Sequence, residues 1–505
     1  MNTFKKLLTY TAAYCFISFL STCTYDKETP PLTIDGGCYP DNIAHIFVTK
    51  CAVSGCHNTQ SKDGAGGFDL SSWNHLFEGG RNGSSVIPFR PDQSFLLSFI
   101  NTYSDIGIPA LTPTMPVGGQ PLSRDEVIMV RDWIRNGAPD CNGNVKFADV
   151  PNRKKFYVCN QGCDVVTVFD SHTKLPMRVI DVGINPLQIE SPHQVVVSPD
   201  GNYWYVIFRA GQVLQKFRTS DDSYVGQVIL GVGQWTSMTI STDSHYGFAV
   251  NYSQAPDGSV AFVDLQSMTL FSTYTGLRYP HGSAVSSDLK TLYITAQLGN
   301  YIYKFDITDL TNPQEDDIIL EHGLQTLNHS LQTVNSKFDP HQVAISPDGT
   351  KYYVTCQRSN EVRVMNVATD TLMAVVPTGV DPQELDFSET YPYLFVSCMD
   401  DSVSFPGWIG SVTAINYHTN TFIKSIFTNG FQPHGLNVDD QFGVVYVANR
   451  NVSATGPAPH HTSVCGGRNG NVTIIDMTNP DPTQMEILDY KVEVSVDPYE
   501  IGIRK

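Results

Sequence analysis

Residues 192–208 read PHQVVVSPDGNYWYVIF: an apolar run, a Ser-Pro-Asp-Gly turn, and a second run rich in aromatic and β-branched residues. Asp-Gly after Pro supplies the backbone freedom a tight turn needs, and the flanking runs have β composition. The same phrase returns as PHGSAVSSDLKTLYIT at 280–295, PHQVAISPDGTKYYVT at 340–355, PQELDFSETYPYLFVS at 382–397 and PHGLNVDDQFGVVYVA at 433–448. Each is followed by a third strand, such as NEVRVMNVAT at 360–369, and a fourth, such as LMAVVPTG at 372–379. Four strands per repeat of about forty residues is the arithmetic of a β-propeller. Full blades begin near Ser191, Gly233, Tyr279, Asp339, Asp381 and Gln432. The segment from Phe156 starts at a second strand, and VDPYEIGIRK at 496–505 is a lone first strand. Together they make a seventh blade that closes the ring, so 154–505 is expected to be an all-β seven-bladed propeller.

Strands in a blade alternate direction, which puts the start of every first strand on one face. Aligning the residue after each opening proline, or after Trp235 where blade 3 has no proline, gives a ring of Tyr499, His193, Thr236, His281, His341, Gln383 and His434 near the channel mouth. The long insertions at 321–337, 400–410 and 449–470 fall on the same face, carrying His322, His329, His460, His461 and Cys465. Convergent imidazoles at His193, His281, His341 and His434 could hold copper or another transition metal. Alternatively, they hydrogen-bond backbone around the channel. Glu384 and Asp386 read as ordinary strand and turn residues. Cys163 and Cys465 lie in adjacent blades and could pair; so could Cys356 and Cys398.

The repeats resemble YVTN-type propellers, which look like surface-layer and lactonase-like propellers. That resemblance implies the fold far more than any activity. The histidine ring is similar in arrangement only to the copper-cluster site of nitrous oxide reductases, whose wider motifs are absent here.

Upstream, residues 33–141 have a different texture. In DNIAHIFVTKC, 41–51, Ile43, Ile46 and Phe47 stand at helical spacing. In SRDEVIMVRDWIRNG, 123–137, Ser123 and Glu126 have capping-box spacing, and Val127, Val130, Trp133 and Ile134 form an apolar face. Between these helices lie CAVSGCHN, 51–58, and the loop TPTMPVGGQPLS, 112–123. Two thiols, Cys51 and Cys56, followed at once by His57 suit covalent haem c: thioethers to the vinyl groups and an imidazole on iron. Met115, between Pro113 and Pro116, could complete the coordination, with His45 and His75 as substitutes. A Cys51–Cys56 disulfide is the plainer reading; zinc would need further ligands. Cys38 and Cys141 bracket the segment and could staple its ends.

CAVSGCHN, FDLSSW and MPVGGQPLSRDEVIMVRDWIRNGAPDC look like the small cytochrome c domains of planctomycete and Bacteroidetes envelope proteins. The resemblance implies Cys51 and Cys56 as haem attachment sites, His57 as proximal ligand and Met115 as distal ligand. The four residues between the cysteines depart from the commoner two. The fold class expected is therefore multidomain: a small all-α cytochrome c-like domain at 33–141, a linker at 142–153, then the propeller.

Residues 1–22 read as a lipoprotein signal peptide: Lys5 and Lys6, the apolar run LLTYTAAYCFISFL, then LSTC ending at Cys23, the expected lipidation site, with a tether at 23–32. This implies the bacterial cell envelope, with a lipid anchor in the outer membrane. The chain has 505 residues and 11 Cys; setting aside Cys15 and Cys23 leaves an odd number, so at least one stays outside internal disulfides. A formal charge of −18 excludes a nucleic-acid partner as a sensible expectation. No Walker loop, nucleophile elbow or H-E-x-x-H stands in the sequence. The functional expectation is electron transfer, through one haem c, to a redox partner protein or a small-molecule donor or acceptor. A non-redox binding or scaffold propeller, a metal-dependent oxidoreductase and a lactonase-type hydrolase are the alternatives.

Overall fold

The computed structural model describes residues 35–148, 150–321, 324–326, 332–459, 463 and 465–504. The leader, Cys23, the tether, His322, His329, His460 and His461 lie outside the described residues. No helix among the described residues is long and apolar enough to cross a membrane.

Seven antiparallel sheets form the ring. Blade 1 pairs the C-terminal strand Pro498–Ile503 with Lys155–Asn160, followed by Val165–Asp170 and Leu175–Asp181. Its closing register runs from Phe156 opposite Ile503 to Asn160 opposite Pro498. Blades 2, 3, 5, 6 and 7 open at Pro192, Trp235, Pro340, Pro382 and Pro433 with four strands each; blade 4, opening at Pro280, adds a fifth short strand, Leu324–Thr326. Middle strands are buried on both faces, which is why Tyr203–Phe208, Tyr393–Cys398 and Val444–Asn449 read as almost unbroken apolar runs.

One local device recurs at the start of the first strands. The residue before the opening proline has a left-handed backbone at Ser191, Tyr279, Asp339, Asp381, Gln432 and Asp497, with φ between 50° and 61°. A β-bulge follows at once: the register slips between Pro192 and Gln194, Trp235 and Ser237, Pro340 and Val343, Pro382 and Leu385, and Pro433 and Leu436. A bulge re-aims the extra residue. Here that residue is the one after the proline, and the bulge turns it toward the channel.

The N-terminal unit does not form the separate all-α domain expected. It has four short helices, α1 (Asp41–Ile46), α2 (Trp73–Leu76), α3 (Phe95–Ile100) and α4 (Arg124–Arg135), set in long loops. Only two stretches of its sequence carry sustained helical periodicity, and α1 ends after Phe47–Cys51 in a wider-wound turn. α4 has the full capping box at Ser123 and Glu126 and buries Val127, Val130, Trp133 and Ile134, each contributing about 1.5–3 kcal/mol. Trp73 and Trp133 donate their indole N–H groups to the carbonyls of Ala138 and Pro139. Cys38 and Cys141 are joined in a disulfide.

This unit's core is continuous with that of the first two blades, running from Ile43 and Val130 to Tyr157, Trp204 and Tyr499. It packs against the outer strands of blades 1 and 7. Ser84 Oγ donates to the Pro176 carbonyl at 2.8 Å, and Arg90 bonds the Val179 carbonyl and Asp181. Gly83, at φ 96°, presses on Val492: a Cβ there would come within 2.7 Å of its side chain. Outer strands leave unpaired edges, and this unit covers two of them.

Candidate functional site

Two places gather chemically capable side chains. The first is a cavity of about 1150 Å³ between the N-terminal unit and blade 7. Cys51, Cys56, His57 and Met115 all line it, although Met115 lies 58 positions beyond His57. α1 and its wide turn deliver Cys51 to the wall, and a hydrogen bond from the His57 backbone N–H to the Cys51 carbonyl, 3.1 Å, folds the motif back on itself. His57 Nδ1 sits 3.2 Å from the Phe68 carbonyl, which orients the ring and leaves Nε2 free to ligate. Met115 is tied down by its backbone N–H to the Phe99 carbonyl at 2.8 Å.

Cys51 and Cys56 are free thiols, not joined to one another. Burial pushes the Cys51 thiol up to about 12, so it stays protonated. The apolar wall comes from Phe47, Phe68, Leu70, Leu96, Phe99 and Ile100. Arg81, Asp489, Lys491 and Glu493 supply charge, the last three from the outer strand of blade 7. His45 is exposed, and His75, beside Ser71 and Asp69, does not line the cavity. Neither histidine is brought to Cys51 and Cys56 as a substitute for Met115.

The second place is the channel. His193, His281, His341 and His434 are all buried and ring it with Tyr499. Ring centroids lie 4.1 Å apart for His281 and His341, 5.6 Å for His341 and His434, 3.7 Å for His434 and Tyr499, and 4.2 Å for Tyr499 and His193. Three of the histidines bond backbone of the next blade: His193 at Thr236, His281 Nδ1 at the His341 carbonyl (3.3 Å) and His434 Nδ1 at the Tyr499 carbonyl (3.2 Å). Burial holds His193, His281 and His434 well below the usual imidazole range, so they are neutral. A second ring of contacts backs the first. Thr295, Thr355, Ser397 and Cys159 donate from the second strand of one blade to the carbonyl of the channel residue in the next.

His341 departs from that pattern. Its Nδ1 lies 3.3 Å from Gln297 Nε2, and its Nε2 is 3.5 Å from Glu384 Oε1 without a hydrogen bond. Among the described residues, His341, Glu384 and His434 form a cluster whose donor atoms lie within 4.8 Å of one another. The sequence marks Glu384 only as an ordinary strand residue. The signal for it is positional: it follows the ring position of blade 6, where Gln342 follows it in blade 5. His193 and His281 stand in the ring but outside this cluster. Beside it, burial and the neighbouring Glu384 push the Glu500 carboxyl far up, so it is protonated. Arg450 pairs with Asp497 at 2.7 Å and covers the Tyr499 ring.

Cys163 and Cys465 form a disulfide between blades 1 and 7, while Cys356 and Cys398 remain separate buried thiols, with burial pushing Cys398 up to about 12.

A family model described as the choice-of-anchor I domain matches residues 246–392, within blades 3 to 6. A search of curated proteins returns no match. Among solved structures, the chain is similar to a functionally unknown protein from Desulfotomaculum acetoxidans at 14% identity, covering 69% of this chain and 98% of that one, TM-score 0.52. It is similar to a putative 6-phosphogluconolactonase from Bacteroides fragilis at 12% identity, covering 71% and 99%, TM-score 0.52. The periplasmic gluconolactonase of Pseudomonas aeruginosa matches at 16% identity, covering 69% and 98%, TM-score 0.50. At these identities the likeness is one of fold, and the fold is the seven-bladed β-propeller.

Proposed function

We propose that the chain is an envelope c-type cytochrome–propeller protein that transfers electrons, holding one haem in the cavity between its N-terminal unit and blade 7. The observation that carries this reading is the convergence of Cys51, Cys56, His57 and Met115 on one apolar-walled cavity. The Cys51 and Cys56 thiols would bind the porphyrin covalently, and His57 and Met115 would be the side chains that hold its iron. When bound, the haem supplies a one-electron iron couple.

The chain's own groups do the rest. The Phe68 carbonyl fixes the His57 ring and selects the nitrogen that faces the cavity. The aromatic and aliphatic part of the wall would lower the polarity around a bound redox centre, which favours its less charged form. Arg81 and Lys491, together with Lys50 on its Glu126 partner, put cations in the cavity wall. An imidazole and a thioether both held on the iron would leave it no ready place for a substrate, which favours an electron carrier over an oxidase. The lipid anchor at Cys23, and through it the outer-membrane location, belongs to the same reading, as does an electron-exchanging partner at the loop-rich face.

The test is a pyridine-haemochrome spectrum of the mature protein, made in cells with haem-attachment machinery, beside Cys51→Ala/Cys56→Ala. A c-type spectrum that survives acid-acetone extraction, absent from the double variant, is the expected result. A folded, exported protein without haem would overturn it and leave a non-redox binding propeller as the reading.

A further inference from the structure

The channel cluster has the make-up of a metal site. Two imidazoles and one carboxylate are a set that first-row divalent ions accept, and three protein ligands leave open positions for water or substrate. For bonds of about 2.1 Å, donors on one tetrahedron stand about 3.4 Å apart. His341 Nε2 and Glu384 Oε1 are 3.5 Å apart, and all three donors fit within 4.8 Å.

The surroundings point the same way. His341 and His434 are 2% and 1% exposed, yet the Nε2 atom of each hydrogen-bonds nothing. Buried polar atoms without partners are rare and costly, and two of them facing one carboxylate call for an occupant. Two of the three ligands also have outer support of the kind that orients metal-binding groups. His434 Nδ1 is held by the Tyr499 carbonyl, and the second Glu384 oxygen accepts from Gln342 Nε2 at 2.6 Å. Gly435 keeps the neighbouring blade close: a Cβ there would come within 2.5 Å of the Glu500 backbone.

We propose that His341, His434 and Glu384 bind one divalent first-row transition ion, of the zinc or copper kind, in the propeller channel, with an open coordination position toward the mouth. This site is independent of the haem. His193 and His281 stand around it as neutral walls bonded to backbone. The channel thereby becomes a second, Lewis-acidic or redox-capable centre on the face that carries the long loops.

The experiment is metal analysis and Zn²⁺ titration of the full-length protein, stripped with chelator and dialysed, with Cu²⁺ as a second probe. One equivalent of zinc or copper is expected, with at least ten-fold weaker binding in Glu384→Gln and in His434→Gln. Zinc and copper are counted apart from iron, so a chain lacking haem still returns an answer. Circular dichroism shows whether the variants fold; if one does not, the stoichiometry of the unmodified protein decides. Failure of the stripped protein to take up either ion, or uptake equal in the folded variants, overturns the proposal.

Discussion

Asp381 shows how much a single position at the channel mouth carries. It has a left-handed backbone, its N–H donates to Asn360 Oδ1, and its neighbours include Asp400 and Asp339. Burial, then repulsion from Asp400, raises its carboxyl from 3.8 to about 6. The folded state therefore holds a proton the unfolded chain has released. Stability from this group is full below pH 4 and is lost as pH rises through 6. Asp381→Asn should match the parent at pH 4 and exceed it at pH 8 by up to about 3 kcal/mol in urea unfolding. An unchanged pH slope would refute that assignment. The ring residues are legible in the sequence because all but Thr236, which follows Trp235, come after a proline in a repeating phrase. Glu384 is not, because its role depends on which side chains the neighbouring blades present, and no repeat within a blade encodes that.

Between elements, the bulge that opens the first strands is the step that turns a repeated sequence into a lined channel. Its parts are short-range: a left-handed residue, then proline in most blades, then a slipped register. That is why the blades can be counted along the chain. Contacts between blades are less legible. Lys155 of blade 1 reaches Asp222, in the turn of blade 2, at 2.7 Å, and donates also to the Thr219 carbonyl; both ionic side chains are 2% exposed. Asp222→Ala leaves that ammonium buried without its partner and should cost about 3–5 kcal/mol. Lys155→Met/Asp222→Leu should recover most of that loss in the same denaturation assay. The N-terminal unit departs from a free-standing all-α domain for a related reason. Its helical periodicity marks α1 and α4, but nothing local says that its loops will dock on the outer edges of two blades.

At the scale of the molecule, the ring closes twice. Strand Pro498–Ile503 zips onto Lys155–Asn160, and the Cys163–Cys465 disulfide ties residues 302 positions apart across the same seam. Cys163→Ser/Cys465→Ser should lower stability by roughly 2–5 kcal/mol. Non-reducing peptide mapping of the parent should find the linked peptides, and faster proteolysis at blades 1 and 7 should mark the variant. The N-terminal unit sits over this seam, and the blade 7 insertion runs from Arg450 beside the histidine ring to Ala458 and Pro459 at the cavity. The two candidate centres are thus joined by a short length of one loop.

The placement of Asp489, Lys491 and Glu493 in the cavity wall has a consequence in time. A ribosome makes residues 51–57 more than four hundred positions before it makes that wall. While the chain is still emerging, Cys51, Cys56 and His57 face an open shell. Under the proposed haem reading, the cofactor would be joined to them before the last blade arrives, and completion of the ring would then close that side of the cavity.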